Sequence, residues 1–110
     1  MDRTKNYADI LTQILREKSK VKYPLQPGLK LVSSCDQETG QFLLIRIGWD
    51  KDEWFHNILF HAQVIGGRII IEIDMTQDGL KPLLLEAGIP EEAFLSDEDN
   101  YEIEAVQVAA

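Results

Sequence analysis

The sequence has one cysteine in 110 residues, no apolar run of membrane-spanning length and no basic residue after Lys81. A single thiol, Cys35, cannot form an internal disulfide, and no basic, apolar and small-residue pattern of a secretory signal opens the chain. A membrane-spanning helix needs roughly 18 to 20 apolar residues, and the apolar runs here are well short of that. We therefore expect a cytoplasmic protein in a reducing setting, without membrane association.

The length and composition predict a single domain over residues 1–110. At 45% hydrophobic and 27% charged residues, the chain is apolar enough to fold around one packed core. We find neither an internal repeat nor a linker that would divide it. The acidic segment 96–110 is interpreted as either a tail or an edge strand.

The charge is unevenly distributed along the chain. The net charge is -8; residues 1–30 carry seven basic and three acidic groups, whereas residues 82–110 carry eight acidic groups and none that are basic. Nucleic-acid binding depends on clustered lysine and arginine, so the last third would repel DNA. Acidic runs of this kind most often form a surface exposed to solvent. The more specific alternative is a docking surface for a basic partner protein.

The apolar spacing predicts a helix over residues 3–19, with one stripe formed by Tyr7, Ile10, Leu11, Ile14 and Leu15. A stripe of this kind is more often core than a partner groove, so we assign it to packing on a sheet. A second helix has a stripe of Leu80, Leu83, Leu84 and Ala87. We expect Thr76 or Asp78 to cap it and Gly88 to end it.

Four β-rich runs lie between these helices, at residues 29–34, 41–47, 54–64 and 68–74, and turn-forming residues separate them. The run 41–47 is apolar on both faces, which predicts a central strand covered on both sides. The fold class is therefore α+β: an N-terminal helix, a four-stranded antiparallel meander and a C-terminal helix packed on the sheet.

Candidate catalytic and metal-binding groups are few. His56 and His61 are five apart on one predicted strand, so alternation sends them to opposite faces, where they cannot share a metal. Cys35 beside Asp36 lacks the electropositive setting that lowers a thiol pKa. We expect a hydrogen-bonded strand residue at His61 and an inert thiol at Cys35.

The carboxylates give a weak nuclease signal. Glu72 and Asp74 share one face of the last strand under strict alternation, and Asp50 is a candidate third acid within reach. The lysine that such sites usually carry two residues beyond the second acid is replaced by Thr76. The prediction is a protein that is not an enzyme and that has no cofactor and no metal.

Several short motifs, in order, resemble the XisI family, the fdxN element excision controlling factors of cyanobacteria. They are residues 36–50 ending in Gly48-Trp49-Asp50, then Phe60-His61-Ala62, Gly67-Arg68-Ile69, Thr76-Gln77-Asp78-Gly79-Leu80 and residues 85–92. The resemblance implies an α+β domain, with a helix before an antiparallel sheet and a helix after it. It also implies a non-catalytic protein that acts with a companion of nuclease-like fold, an XisH-like protein, in excision of a DNA element. This chain departs from its relatives at Ile70, where they usually have an aromatic residue, and in its ending.

The leading hypothesis is a regulatory subunit that docks a basic, nuclease-fold companion, so that contact with DNA is indirect. Its candidate interaction surface comprises Trp49, Asp50, Trp54, His61, Glu91, Glu92, Asp97, Glu98 and Asp99. The alternative is a recombination directionality factor that contacts DNA directly through Arg16, Lys18, Lys20 and Lys22. A homodimer or higher homo-oligomer is also expected, because an open sheet leaves edges that need cover.

Overall fold

A computed structural model of the chain describes residues 3–95. The elements in chain order are α1 (Arg3–Ser19), β1 (Leu29–Asp36), β2 (Gln41–Asp50), β3 (Glu53–Ile65), β4 (Arg68–Asp74), α2 (Lys81–Glu86) and a short 3-10 helix (Glu91–Ala93). The strands form one antiparallel sheet in the order β1-β2-β3-β4. The predicted α+β class and its meander are confirmed.

Helix α1 packs its predicted stripe on the sheet. Tyr7, Leu11 and Leu15 are buried, and Ile10 and Ile14 lie against the same core. On the sheet they meet a set of side chains that point to one face, including Phe42, Leu44, Phe60, Ala62, Val64 and Ile69. Leu80, Leu84, Ile89 and Ala93 join the same cluster. Because burial of apolar surface drives folding, this one cluster on the helix side of the sheet supplies the core.

Three strands are longer than the sequence predicts. Two-residue loops such as Lys51–Asp52 let pairing continue up to the turn, so β2 and β3 remain paired as far as Asp50 and Glu53. The sequence predicts that β2 ends at residue 47. The structure places Gly48 inside β2 instead, with a φ of 137°.

Two bulges change which side chains share a face. One shifts the β2–β3 register at Leu44/Ile45, and the other shifts the β3–β4 register at His61/Ala62. His56 pairs with Ile47 and His61 with Leu43, so both histidines point away from the helices. The predicted opposite placement is wrong because a bulge adds one residue to the alternation.

The helices cover only one face of the sheet in residues 3–95. The prediction that β2 is covered on both sides is wrong there, since Leu43, Ile45 and Ile47 are only half-buried. The apolar residues of a strand show that both of its faces could be buried. Whether they are buried depends on which elements pack against each face. We call this second surface the helix-free face.

Helix α2 begins without the predicted cap. Leu80 occupies the N-cap position and makes no side-chain cap bond. The backbone N–H of Leu80 donates instead to Asp74 Oδ2 at 2.8 Å, because the chain folds back on the end of β4. Pro82 lies in the first turn, and Gly88 follows the helix with a φ of 113°, as expected of a helix end. None of the helices in this part of the chain is long and apolar enough to span a membrane.

Candidate functional site

The outer half of the β2–β3 hairpin extends beyond β4. Strand β4 pairs only with residues 60–65 of β3, whereas β2 and β3 remain paired to the Asp50–Glu53 turn. We call residues 46–57 the hairpin arm. Strand β1 supports it from one side, through pairs such as Leu29 with Gly48.

Two tryptophans form a pair near the tip of the hairpin arm. Trp49 and Trp54 are cross-strand partners whose ring centroids lie 5.3 Å apart at an interplanar angle of 58°. They are 56% and 50% exposed. Aromatic side chains are enriched at protein interfaces, where the binding partner buries rings that are exposed in the free protein. The structure therefore brings together two residues of the predicted interaction surface.

The loop after α1 props the hairpin arm. Trp49 N donates to Gly28 O at 3.2 Å, and Gln26 Nε2 donates to Asp50 Oδ2 at 2.7 Å. A Cβ at Gly48 would collide with the Gly28 carbonyl. The loop and strand β2 approach each other this closely only because Gly28 and Gly48 both lack a Cβ atom. Asp50 is thus held in place at the tip of the hairpin arm.

Acidic side chains surround the turn. Asp52 and Glu53 are exposed next to Lys51, whose φ is 58°. Together with Asp50 they give the arm tip an excess of negative charge. An apolar pair with an acidic rim matches a partner that has an apolar pocket bordered by cations.

The opposite side of the hairpin arm carries a fixed cation. Arg46 Nη2 donates to Asn57 Oδ1 at 3.2 Å, and the guanidinium carbon lies 5.2 Å from the centroid of the Phe55 ring. This stacking holds the long side chain against the strand. Phe55 is half-buried as a result.

His61 belongs to a polar chain on the helix-free face. Gln41 Nε2 donates to Gln63 Oε1 at 3.0 Å, and Gln63 Nε2 donates to Glu72 Oε1 at 3.0 Å. Gln41 Oε1 is therefore an acceptor, and His61 Nε2, at 2.7 Å, is the donor to it. The predicted hydrogen-bonded histidine is confirmed. Sequence reasoning missed its partners, because only the strand register places them side by side.

The other predicted interaction residues lie at the far end of the sheet or outside the described range. Glu91 and Glu92 are in the 3-10 helix, and Phe94 just after it bridges to Ile69. Ile69 pairs with Val64, ten strand residues from Trp54, or roughly 33 Å. Glu91 accepts an ion-pair hydrogen bond from Lys81 at 2.7 Å. The structure thus separates these acids from the tryptophans; Asp97, Glu98 and Asp99 lie outside residues 3–95.

The four basic residues of the alternative hypothesis do not form one continuous patch. Arg16 borders a groove that also contains Asp9 and Glu17, and Lys18 borders the groove between α1 and α2. Lys20 pairs with Glu17 at 3.2 Å. A further depression is lined by Lys20, Lys22 and Lys30. Lys30 comes from β1, and only the folded structure brings it next to Lys20 and Lys22.

The acids considered for a nuclease site are dispersed. Asp50 is at the arm tip, whereas Asp74 pairs with Phe60, about 23 Å along β3 from Glu53. The bulge also separates Asp74 from Glu72, so the predicted shared face is wrong. Asp74 accepts hydrogen bonds from Thr76 and Leu80, and Glu72 from Gln63.

No group of three or more His, Cys, Asp or Glu side chains between residues 3 and 95 is placed to hold a metal ion. His56 and His61 face the same way, but their partners Ile47 and Leu43 are four residues apart on β2, roughly 13 Å. Burial raises the pKa of the Cys35 thiol, against smaller lowering effects from Thr12 and Arg16. A thiol of this kind is a poor nucleophile at neutral pH.

A search of curated proteins finds no match for this chain. Solved structures are similar. A crystal structure of an XisI-like protein from Anabaena variabilis ATCC 29413 superposes with a TM-score of 0.73, at 16% identity, over 84% of each chain. The fdxN element excision controlling factor XisI from the same organism superposes with a TM-score of 0.65, at 23% identity, over 86% of this chain and 91% of that one. At these identities the structures show a shared fold.

A family model described as XisI protein matches residues 1–99. The match includes α1, the whole sheet with its hairpin arm, and α2. The chain belongs to the XisI family.

Proposed function

We propose that this chain is a non-catalytic regulatory factor that controls excision of a DNA element by binding a companion protein. The observation that carries the proposal is the half-exposed Trp49–Trp54 pair on the hairpin arm. Family membership supports the excision role, as does the name of a similar structure, the fdxN element excision controlling factor XisI. The companion is the XisH-like protein of nuclease-like fold that the resemblance implies.

The chemistry of the arm tip suggests how the two proteins meet. The tryptophan pair offers apolar surface that a partner pocket can desolvate, which is the usual basis of an interface hot spot. Asp50, Asp52 and Glu53 form the acidic rim. A basic companion would thus be guided by charge and held by the aromatic rings.

Co-purification tests this assignment. The double variant Trp49→Ala/Trp54→Ala should bind the XisH-like companion at least about tenfold more weakly than the natural chain. The matched control is Leu83→Ala, because Leu83 is an exposed large apolar residue on α2, away from the arm. If the double variant and the natural chain bind the companion with equal affinity, the hairpin arm is not part of the interface. Failure of the natural chain to associate at low salt would overturn the proposed function.

Direct DNA binding remains the second candidate, and the depression lined by Lys20, Lys22 and Lys30 favours it. A salt-dependent gel shift by the isolated chain, abolished by alanine at those three lysines, would support it. The regulatory proposal instead expects no shift at physiological ionic strength.

We also propose that the chain self-associates. Strand β1 pairs only with β2 among the described elements, which leaves its outer edge available to a second copy. Light scattering should give twice the chain mass of 12.6 kDa. A single species of 12.6 kDa at high concentration would contradict this expectation.

A further inference from the structure

The helix-free face of the sheet is apolar along its centre. Strand alternation and register place these apolar residues on it: Val32, Leu43, Ile45, Ile47, Ile58, Ile70 and Ile73. Val32 and Ile58 are more than a third exposed, at 37% and 39%. Ile70 differs from them, because it is 0% exposed.

Neither α1 nor α2 accounts for the burial of Ile70, which lies outside the core that these helices cover. Ile70 lies in β4 and pairs with Gln63 of β3. Its neighbour Ile69 points to the helices and belongs to the core cluster, which does not include Ile70. Strand β4 is also the last strand of the sheet. An isoleucine on the uncovered face of such a strand keeps open surface unless a further segment lies over it.

The chain leaves the described range next to Ile70. Phe94 forms a parallel bridge with Ile69, and Leu95 N donates to Ile69 O at 2.9 Å. Phe94 packs against the core on the helix side. Because side chains alternate along extended chain, Leu95 is placed on the face of Ile70. The remaining residues 96–110 therefore begin at the margin of the helix-free face, beside β4.

Within this ending, residues 101–105 have the sequence pattern of a strand that covers an apolar face. Tyr101, Ile103 and Ala105 alternate with Glu102 and Glu104, which is the period of two expected for a half-buried strand. Residues 96–100 can span roughly 17 Å when extended, enough to reverse direction beyond the edge of β4.

We propose that residues 101–108 bind to the helix-free face of their own chain, over Ile70. Tyr101, Ile103 and Ala105 point toward the sheet, and Glu102 and Glu104 point to water. Arg68 is exposed at the start of β4, so it offers a positive charge to the acidic residues 97–99 at this edge of the sheet. The Trp49–Trp54 pair lies on the hairpin arm, beyond the part of β3 that pairs with β4, and is outside this contact.

Hydrogen exchange measured by mass spectrometry tests this contact. A chain ending at Leu95 and the variant Ile103→Gln should both exchange the amides of residues 68–74 about tenfold faster than the natural chain. The control is Glu104→Gln, which introduces the same side chain at the adjacent, outward position and should exchange like the natural chain. Unchanged protection of α1 in every variant would show that the helix–sheet core is folded.

Two outcomes would overturn the proposal. One is equal protection of residues 68–74 in the natural and the shortened chain, which would mean that the ending does not cover Ile70. The other is loss of that protection when the natural chain is diluted a hundredfold, which would assign the cover to the ending of a second copy. Protection independent of concentration supports cover within one chain.

Discussion

At the scale of single residues, backbone geometry and burial decide more than chemical reactivity does. Gly48 and Gly28 are in contact where the loop after α1 meets the hairpin arm, and the positive φ of Gly48 favours glycine further. Cys35 is a half-buried thiol on β1 whose pKa is raised by burial. Each residue gives a prediction that a single substitution or a chemical probe can check.

Gly48→Ala should destabilise the protein by at least about 2 kcal/mol, because it combines a strained φ with a collision against the Gly28 carbonyl. The free energy of unfolding in urea measures the effect. The matched control is Gly66→Ala, since Gly66 also has a positive φ of 56° but nothing near its Cβ position. We expect the control to lose only about 1 kcal/mol; equal losses at both sites would contradict the collision.

Cys35 should react with iodoacetamide more slowly in the folded protein than in urea. Burial raises its folded pKa, so the reactive thiolate appears at higher pH than in the unfolded chain. The rate measured against pH gives the apparent pKa in each state. Arg16→Ala should move the folded value still higher, because the Arg16 charge favours the thiolate. Identical pH profiles in the two states would contradict the burial effect.

At the scale of elements, a carboxylate at the end of β4 organises the connection to α2. Asp74 Oδ1 accepts from Thr76 N at 3.1 Å and from the Thr76 hydroxyl, while Oδ2 accepts from Leu80 N at 2.8 Å. Asp78, with a φ of 67°, lies at the outside of the same loop. Asp74 thus performs the capping role that the sequence assigned to Thr76 or Asp78.

Asp74→Asn should lower the free energy of unfolding by about 1–2 kcal/mol. The amide puts an N–H donor where one carboxylate oxygen now accepts, so a backbone N–H loses its partner. Asp78→Asn is the control, because asparagine tolerates a positive φ and Asp78 is exposed. Thermal or urea unfolding of the two variants measures the difference. A loss at Asp78 equal to that at Asp74 would assign the effect to charge instead of hydrogen bonding.

At the scale of the whole molecule, the fold has two unlike ends. The helices and β4 build a packed end, and the hairpin arm extends beyond the part of β3 that pairs with β4. The arm carries the tryptophans and the acidic rim. The packed end supplies stability, and the arm is the part that a partner can reach without disturbing the core.

Association with the proposed companion should weaken as salt is raised, chiefly through a slower association rate. Screening shortens the reach of the acidic rim to about 10 Å at 0.1 M ionic strength. Surface plasmon resonance at increasing salt measures both rates. The variant Asp52→Asn/Glu53→Gln should flatten the salt dependence, whereas Trp49→Ala/Trp54→Ala should mainly speed dissociation. An association rate independent of salt would argue against charge guidance.

The sequence by itself determined the element types and the core. Periodicity located α1 and β4 at their observed bounds, and it identified Leu11, Leu15 and Leu84 as buried positions. These features follow from local spacing, since a helix or a strand buries the residues that recur on one face.

Only the tertiary structure decided which side chains lie together. The bulges placed His56 and His61 on one face and separated Glu72 from Asp74, and pairing in β2 and β3 brought Trp49 beside Trp54. Register joined Gln41, His61, Gln63 and Glu72 into one polar chain. The physical reason is that a bulge or a one-residue change of register costs little locally but reverses the face of every side chain beyond it, so spacing along the chain does not determine these contacts.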